Sequence, residues 1–171
     1  LLKLAVPTIT ARLVYMLYNL VDRIYIGHIE GIGTAALTGV GVCLPVIMMI
    51  SAFAALAAMG GAPRASIEMG KGDHDRAEGI MGACSALLVA LSLVLTAVLV
   101  IWNRPLLLCF GANEETILYA SRYMSIYSMG TIFVQLSLGL NAFITAQGFS
   151  KVSMLTVLIG ALLNTILDPI F

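Results

Sequence analysis

The sequence predicts an all-α integral membrane protein with five transmembrane helices, and three observations carry that prediction. Hydrophobic residues make up 60% of the chain and charged residues only 11%, against about 25% charged in a typical soluble domain. Mean hydropathy is +1.02. The apolar runs are long and unbroken rather than alternating with period two. In lipid every backbone group must be paired internally, so such runs are helices and not barrel strands. No basic cluster exists to bind nucleic acid; the lipid bilayer is the expected surrounding. Cys43, Cys84 and Cys109 are an odd, scattered set inside apolar sequence. They read as small core residues rather than a disulfide or metal framework.

The first span is expected at 4–27. It is the least apolar, with Arg12, Asn19, Asp22 and Arg23 inside it. Tyr15, Tyr18, Asn19, Asp22 and Tyr25 recur at spacings of three and four, a polar-aromatic stripe that should face protein or a water cavity. Arg23 follows Asp22 directly and so points about 100° away from it. The second span, at 35–62, is free of charge and rich in small residues (Gly39, Gly41, Ala52, Ala55, Ala58) that permit close helix approach. Pro45 should loosen it.

Gly60-Gly61-Ala62-Pro63 opens the most polar stretch, expected as a loop over 63–78. Asp73 reads as a helix N-cap with acids in the turn after it. The third span is expected at 79–101, with Trp102 as an interface anchor. Asn113-Glu114-Glu115-Thr116 reads as a helix start, leading to a fourth span at 119–145 that contains Tyr123, Tyr127, Gln135 and Asn141. A tight turn at Gln147-Gly148 leads to the fifth, at 152–171. Lys3, Arg64, Lys71, Arg76 and Lys151 fall on one side, Arg104 and Arg122 on the other. The first group is therefore expected to be cytoplasmic.

The last span ends in Asn164-Thr165-Ile166-Leu167-Asp168-Pro169. An acid at membrane depth costs up to about 2.5–3.5 kcal/mol at a helix centre and marks a functional site by default. Asn164 and Asp168 are four apart, on one helix face. Pro169 cannot donate to the Thr165 carbonyl, so several oxygen groups cluster within a turn and suit a proton or a small hard cation. Spans one and five run parallel. At 1.5 Å per residue Asp22 lies about 27 Å above the start of its span and Asp168 about 24 Å above its own. Tyr123 enters near the same level from the opposite side. Two carboxylates, an amide and a phenol are thus expected to meet at one depth.

The run Tyr18-Asn19-Leu20-Val21-Asp22-Arg23-Ile24-Tyr25-Ile26-Gly27 resembles the first helix of the multidrug and toxic compound extrusion (MATE) family. Gly60-Gly61-Ala62-Pro63 with Gly70-Lys71-Gly72-Asp73 is similar to that family's second-to-third helix loop. Ala146-Gln147-Gly148 followed by Asn164 to Phe171 looks like its fifth helix. Members often carry Arg where this chain has Thr145, and Asn-Pro where it has Phe149-Ser150.

The resemblance implies twelve helices in two six-helix lobes, with this chain supplying helices one to five of the N-terminal lobe. The chain opens without Met and stops inside an apolar segment, so part of a larger protein is expected, with a sixth helix and a C-terminal lobe as missing partners. It also implies export of amphipathic, often cationic small molecules across the plasma membrane, driven by Na⁺ or H⁺, with no cofactor and no enzymatic step. Positions matching Asp22, Asn164 and Asp168 form the family's cation site, and Asn19 and Tyr123 are expected to line the same cavity. Two acids close together in low dielectric share a proton or bind a cation. The rival readings are a lipid-linked oligosaccharide flippase, which would present a more cationic cavity, an intramembrane aspartyl protease, and a channel or structural module. The protease would need Tyr-Asp and Gly-x-Gly-Asp, where this chain has Val21-Asp22 and Leu167-Asp168.

Overall fold

The computed structural model describes residues 2–28, 31 and 33–167. Among these residues six helices follow in order: α1 (Leu2–Gly27), α2 (Gly33–Gly70), α3 (His74–Ile101), α4 (Asn103–Cys109), α5 (Ile117–Ala146) and α6 (Ser150–Leu167). Among the described residues there is no strand. By length and composition α2, α3 and α5 can each cross a membrane, and α6 adds a shorter apolar stretch. The molecule is an all-α integral membrane protein.

One expected boundary is wrong in an instructive way. The stretch 63–78 is not a loop: α2 runs on through Pro63 to Gly70, and α3 begins at His74. Proline removes one backbone donor, which leaves the Met59 carbonyl without its helical partner. Packing outweighs that local cost. Ala62 and Ala65 are buried against Ala77 and Phe143, and Ser66 Oγ donates to the Ala146 carbonyl of α5 at 3.2 Å. The connection shrinks to Lys71-Gly72-Asp73. Gly72 takes φ +83, a left-handed conformation that suits glycine. Asp73 caps α3 as expected, its carboxylate accepting from the Arg76 N–H at 3.0 Å.

The far end holds a helix that the sequence reading missed. In α4, Pro105 sits in the first turn, where its absent N–H would have had no intrahelical partner anyway, and Leu107 is fully buried. Asn113 and Thr116 then bond reciprocally. The Thr116 N–H donates to Asn113 Oδ1 at 2.9 Å, and the Asn113 N–H donates to Thr116 Oγ1 at 3.0 Å. This is a helix start of the kind expected there, and α5 begins at Ile117.

Short connections make successive spans antiparallel, so α1, α3 and α6 run one way and α2 and α5 the other. The packed core lies among α2, α3 and α5. Its centre holds Cys43, Val46, Ile50, Leu99 and Met124. A polar seam along α5 ties this unit together. Thr96 Oγ1 of α3 donates to the Ser128 carbonyl at 3.0 Å, and the Gln135 amide donates to the Ile50 carbonyl of α2 at 2.8 Å. Asn103 of α4 donates to the Ser121 carbonyl and the Ser125 hydroxyl. Such interhelical bonds contribute about 0.6 kcal/mol each on average in lipid. Of the small residues expected to allow close approach, Gly39 and Ala58 are buried, whereas Gly41 and Ala52 are exposed. Apart from this unit, α1 and α6 pack extensively on each other, with lighter contacts from α1 to α2 and from α6 to α5.

Candidate cation and substrate site

The two helices that carry the intramembrane polar residues are direct neighbours. Asp22 lies near the end of α1 and Asn164 near the end of α6, and these parallel helices form the α1–α6 pair. Asp22 is half-buried and the adjacent Arg23 exposed, which fits the helical phase difference between them. Asp168 lies outside the described residues, as do the side chains of Asn164 and Tyr18, so the meeting of the two acids is not placed. Asn19, expected to line the cavity, is half-buried, and its amide donates to the Tyr15 carbonyl one turn back at 2.8 Å.

Tyr123 is half-buried on α5 and stacks on Tyr127, with ring centroids 6.2 Å apart and planes inclined by 23°. Both the separation and the tilt suit an offset aromatic pair. The Tyr127 phenol is within electrostatic reach of Tyr123 and of Tyr15 on α1. The sequence reading named Tyr127 as part of α5 but gave it no role. The available signal was its spacing of four from Tyr123, which puts both on one face.

On α6, Ser150, Ser153, Met154, Val157, Leu158 and Ala161 are buried or half-buried, while Lys151, Val152, Leu155, Ile159 and Leu162 are exposed. This stripe at spacings of three and four is the packed face of a helix, and its period leads on to position 164. The described residues therefore offer half-buried Asn19 and Asp22 on α1, a stacked tyrosine pair on α5, and an amide-bearing position, 164, on the helix packed beside α1. Oxygen ligands of this kind suit a hard cation or a proton.

Comparison with known proteins agrees with this architecture. The multidrug export protein MepA of Staphylococcus haemolyticus is 27% identical over 97% of this chain, and the match covers 36% of that protein. MepA of Staphylococcus aureus is 25% identical over the same shares. A crystal structure of a MATE protein in its bent conformation superposes with a TM-score of 0.88 at 28% identity, over 99% of this chain and 37% of the other. A point mutant of MATE gives 0.90 at 27% identity, with the same coverage. The chain thus spans about a third of the length of the curated relatives it matches. The MatE family profile matches residues 7–170, nearly the whole chain, and the chain belongs to that family.

Proposed function

We propose that this chain forms five helices of a six-helix lobe of a multidrug exporter in which inward flow of Na⁺ or H⁺ drives amphipathic, often cationic compounds out across the plasma membrane. It is a transporter, not an enzyme, and needs no cofactor beyond the coupling ion. The observation that carries this reading is the direct packing of α1 on α6, the helices bearing Asp22 and Asn164, with Asp168 next in sequence. Asp22, Asn164 and Asp168 hold the coupling cation or proton; Asn19 and Tyr123 line the adjoining cavity. A cation bound between α1 and α6 favours one packing of the pair, and its release favours another. A ligand shifts such an equilibrium only by its difference in affinity for the two states.

In the complete transporter, Asp22→Asn and Asp168→Asn each abolish cation-driven export while insertion and folding are kept. Asparagine preserves size and hydrogen bonding but carries no charge and exchanges no proton, so the change isolates ionisation. Asn164→Ala weakens export less, because it deletes one neutral ligand of several. The measurement is drug efflux in everted vesicles, normalised to folded protein. Near-normal efflux from both Asn variants ends the coupling-site reading.

A further inference from the structure

Where α5 gives way to α6, four neutral side chains hydrogen-bond across the two helices. The Asn141 amide of α5 donates to Thr156 Oγ1 of α6 at 3.0 Å. Ser153 Oγ of α6 donates back to Asn141 Oδ1. Thr145 Oγ1 lies 3.0 Å from Ser153 Oγ and 3.0 Å from the Asn141 carbonyl, with one proton to share between them. Thr156 in turn donates to the Ser153 carbonyl at 2.7 Å. Every hydroxyl proton in the set has an acceptor, and Asn141 uses both ends of its amide.

This geometry does more than hold two helices together. Asn141 reads two hydroxyls three residues apart on α6, one as a donor and the other as an acceptor. A one-residue slip of α6 turns it by about 100° and moves it about 1.5 Å, so both bonds break at once. The turn at Gln147, Gly148 and Phe149 joins the helices through backbone bonds to Phe143, Thr145 and Ile144, and the Val152 and Ser153 N–H groups donate to the Phe149 carbonyl; the turn sets where α6 starts, and the side-chain network adds a second hold on its rotation. Position 164 comes eleven residues after Ser153. That is about three turns and 16 Å along the axis, so it shares the helix face of Ser153. Whatever rotation the network imposes at Ser153 is therefore passed up a rigid helix to 164.

We propose that Asn141, with Thr145, Ser153 and Thr156, is a positioning cluster for the cation site: it sets the rotation and height of α6, and thereby where the Asn164 face is presented. This rests on the cation-site reading above. The four residues do not touch the ion; they act through α6. Residues that act on a site through a packed element without touching its ligand typically change its affinity by about 2–30-fold.

The test uses the complete transporter that contains this chain, in lipid nanodiscs, with two readouts. The first is binding of Na⁺ and of H⁺ by calorimetry, with Na⁺ titrated at several pH values. Asn141→Leu and Ser153→Ala should weaken binding of the coupling ion by more than about threefold and up to about 30-fold, while Ser153→Thr, which keeps the hydroxyl, stays within about twofold of the parent. Rescue by threonine separates loss of the hydrogen bond from general damage to the fold. The second is the distance between nitroxides on Met129→Cys and Leu162→Cys, two exposed sites on α5 and α6, with Cys43, Cys84 and Cys109 replaced by alanine. Asn141→Leu should shift or broaden that distance, and Ser153→Thr should not. If the parent transporter binds neither ion, the cation-site reading fails and the proposal fails with it, whereas a distance that still responds to Asn141→Leu would leave only a structural clamp. Parent-like affinity and distance in Asn141→Leu and Ser153→Ala overturn the positioning role while leaving the cation site standing.

Discussion

Single residues decide how closely the α2–α3–α5 unit packs. A methyl group added at Gly139 would come within 2.3 Å of Leu88 Cδ1, and Leu88 is fully buried. Overpacking of this kind typically costs about 1–3 kcal/mol. Gly130, on the same helix, has nothing within 4 Å of the corresponding position, and there the backbone term alone favours alanine by about 0.5–1 kcal/mol. Gly139→Ala should accordingly lower the unfolding midpoint in detergent, and Gly130→Ala should leave it level or raise it. Equal midpoints would show that Leu88 swings aside without cost. Gln135 illustrates the opposite kind of fit. Its amide nitrogen bonds the Ile50 carbonyl, yet its buried Oε1 has no protein partner. A fully buried amide half-used in this way fixes α2 against α5 but gains less than a fully satisfied one.

At the scale of elements, the chain wrote its apolar helices plainly and its helix ends unevenly. Asp73 and the Asn113–Thr116 pair were legible because capping is local: an oxygen side chain reaches an N–H three residues away. The continuation of α2 through Pro63 was not, because the groups that compensate it, Phe143, Ala77 and the Ala146 carbonyl, come from elsewhere in the chain. The same holds for the candidate site. Periodicity put Asp22, Asn19 and Tyr15 on one stripe of α1 and Tyr123 and Tyr127 on one face of α5, but nothing local to α5 showed that Asn141 would engage α6. Charge placement yields a topology that the molecule can test with a native probe. Cys109 is exposed at the end of α4, on the side assigned to the exterior by the distribution of Lys and Arg. An impermeant maleimide should label it in intact cells. With Cys109→Ser in place, Lys71→Cys in the α2–α3 turn should react only after permeabilisation. The reverse pattern inverts the orientation of every span.

The whole molecule is a tightly packed three-helix unit with a helix pair set against it, and the proposed cation site belongs to the pair. That division bears on what the chain does alone. In the proposed reading the coupling ion is held by Asp22, Asn164 and Asp168, all of which the 171 residues supply. Moving a bulky amphipathic compound across a bilayer needs a cavity that opens to each side in turn, and one packed lobe offers no opposing wall to rock against. The chain also leaves large apolar side chains such as Met59, Ile126, Met129 and Phe133 about three-quarters exposed, surface that lipid or further helices must cover. The relatives it matches are almost three times as long, since the match covers 36% of their length. The expected outcome in proteoliposomes is that the chain binds the coupling ion but does not export a fluorescent dye against its gradient. Supplying the expected sixth helix and second lobe in the same vesicles should restore dye movement. Efflux by the chain alone, with crosslinking showing it to be monomeric, would remove the need for a second lobe and place the substrate path inside this one, between the α1–α6 pair and α5.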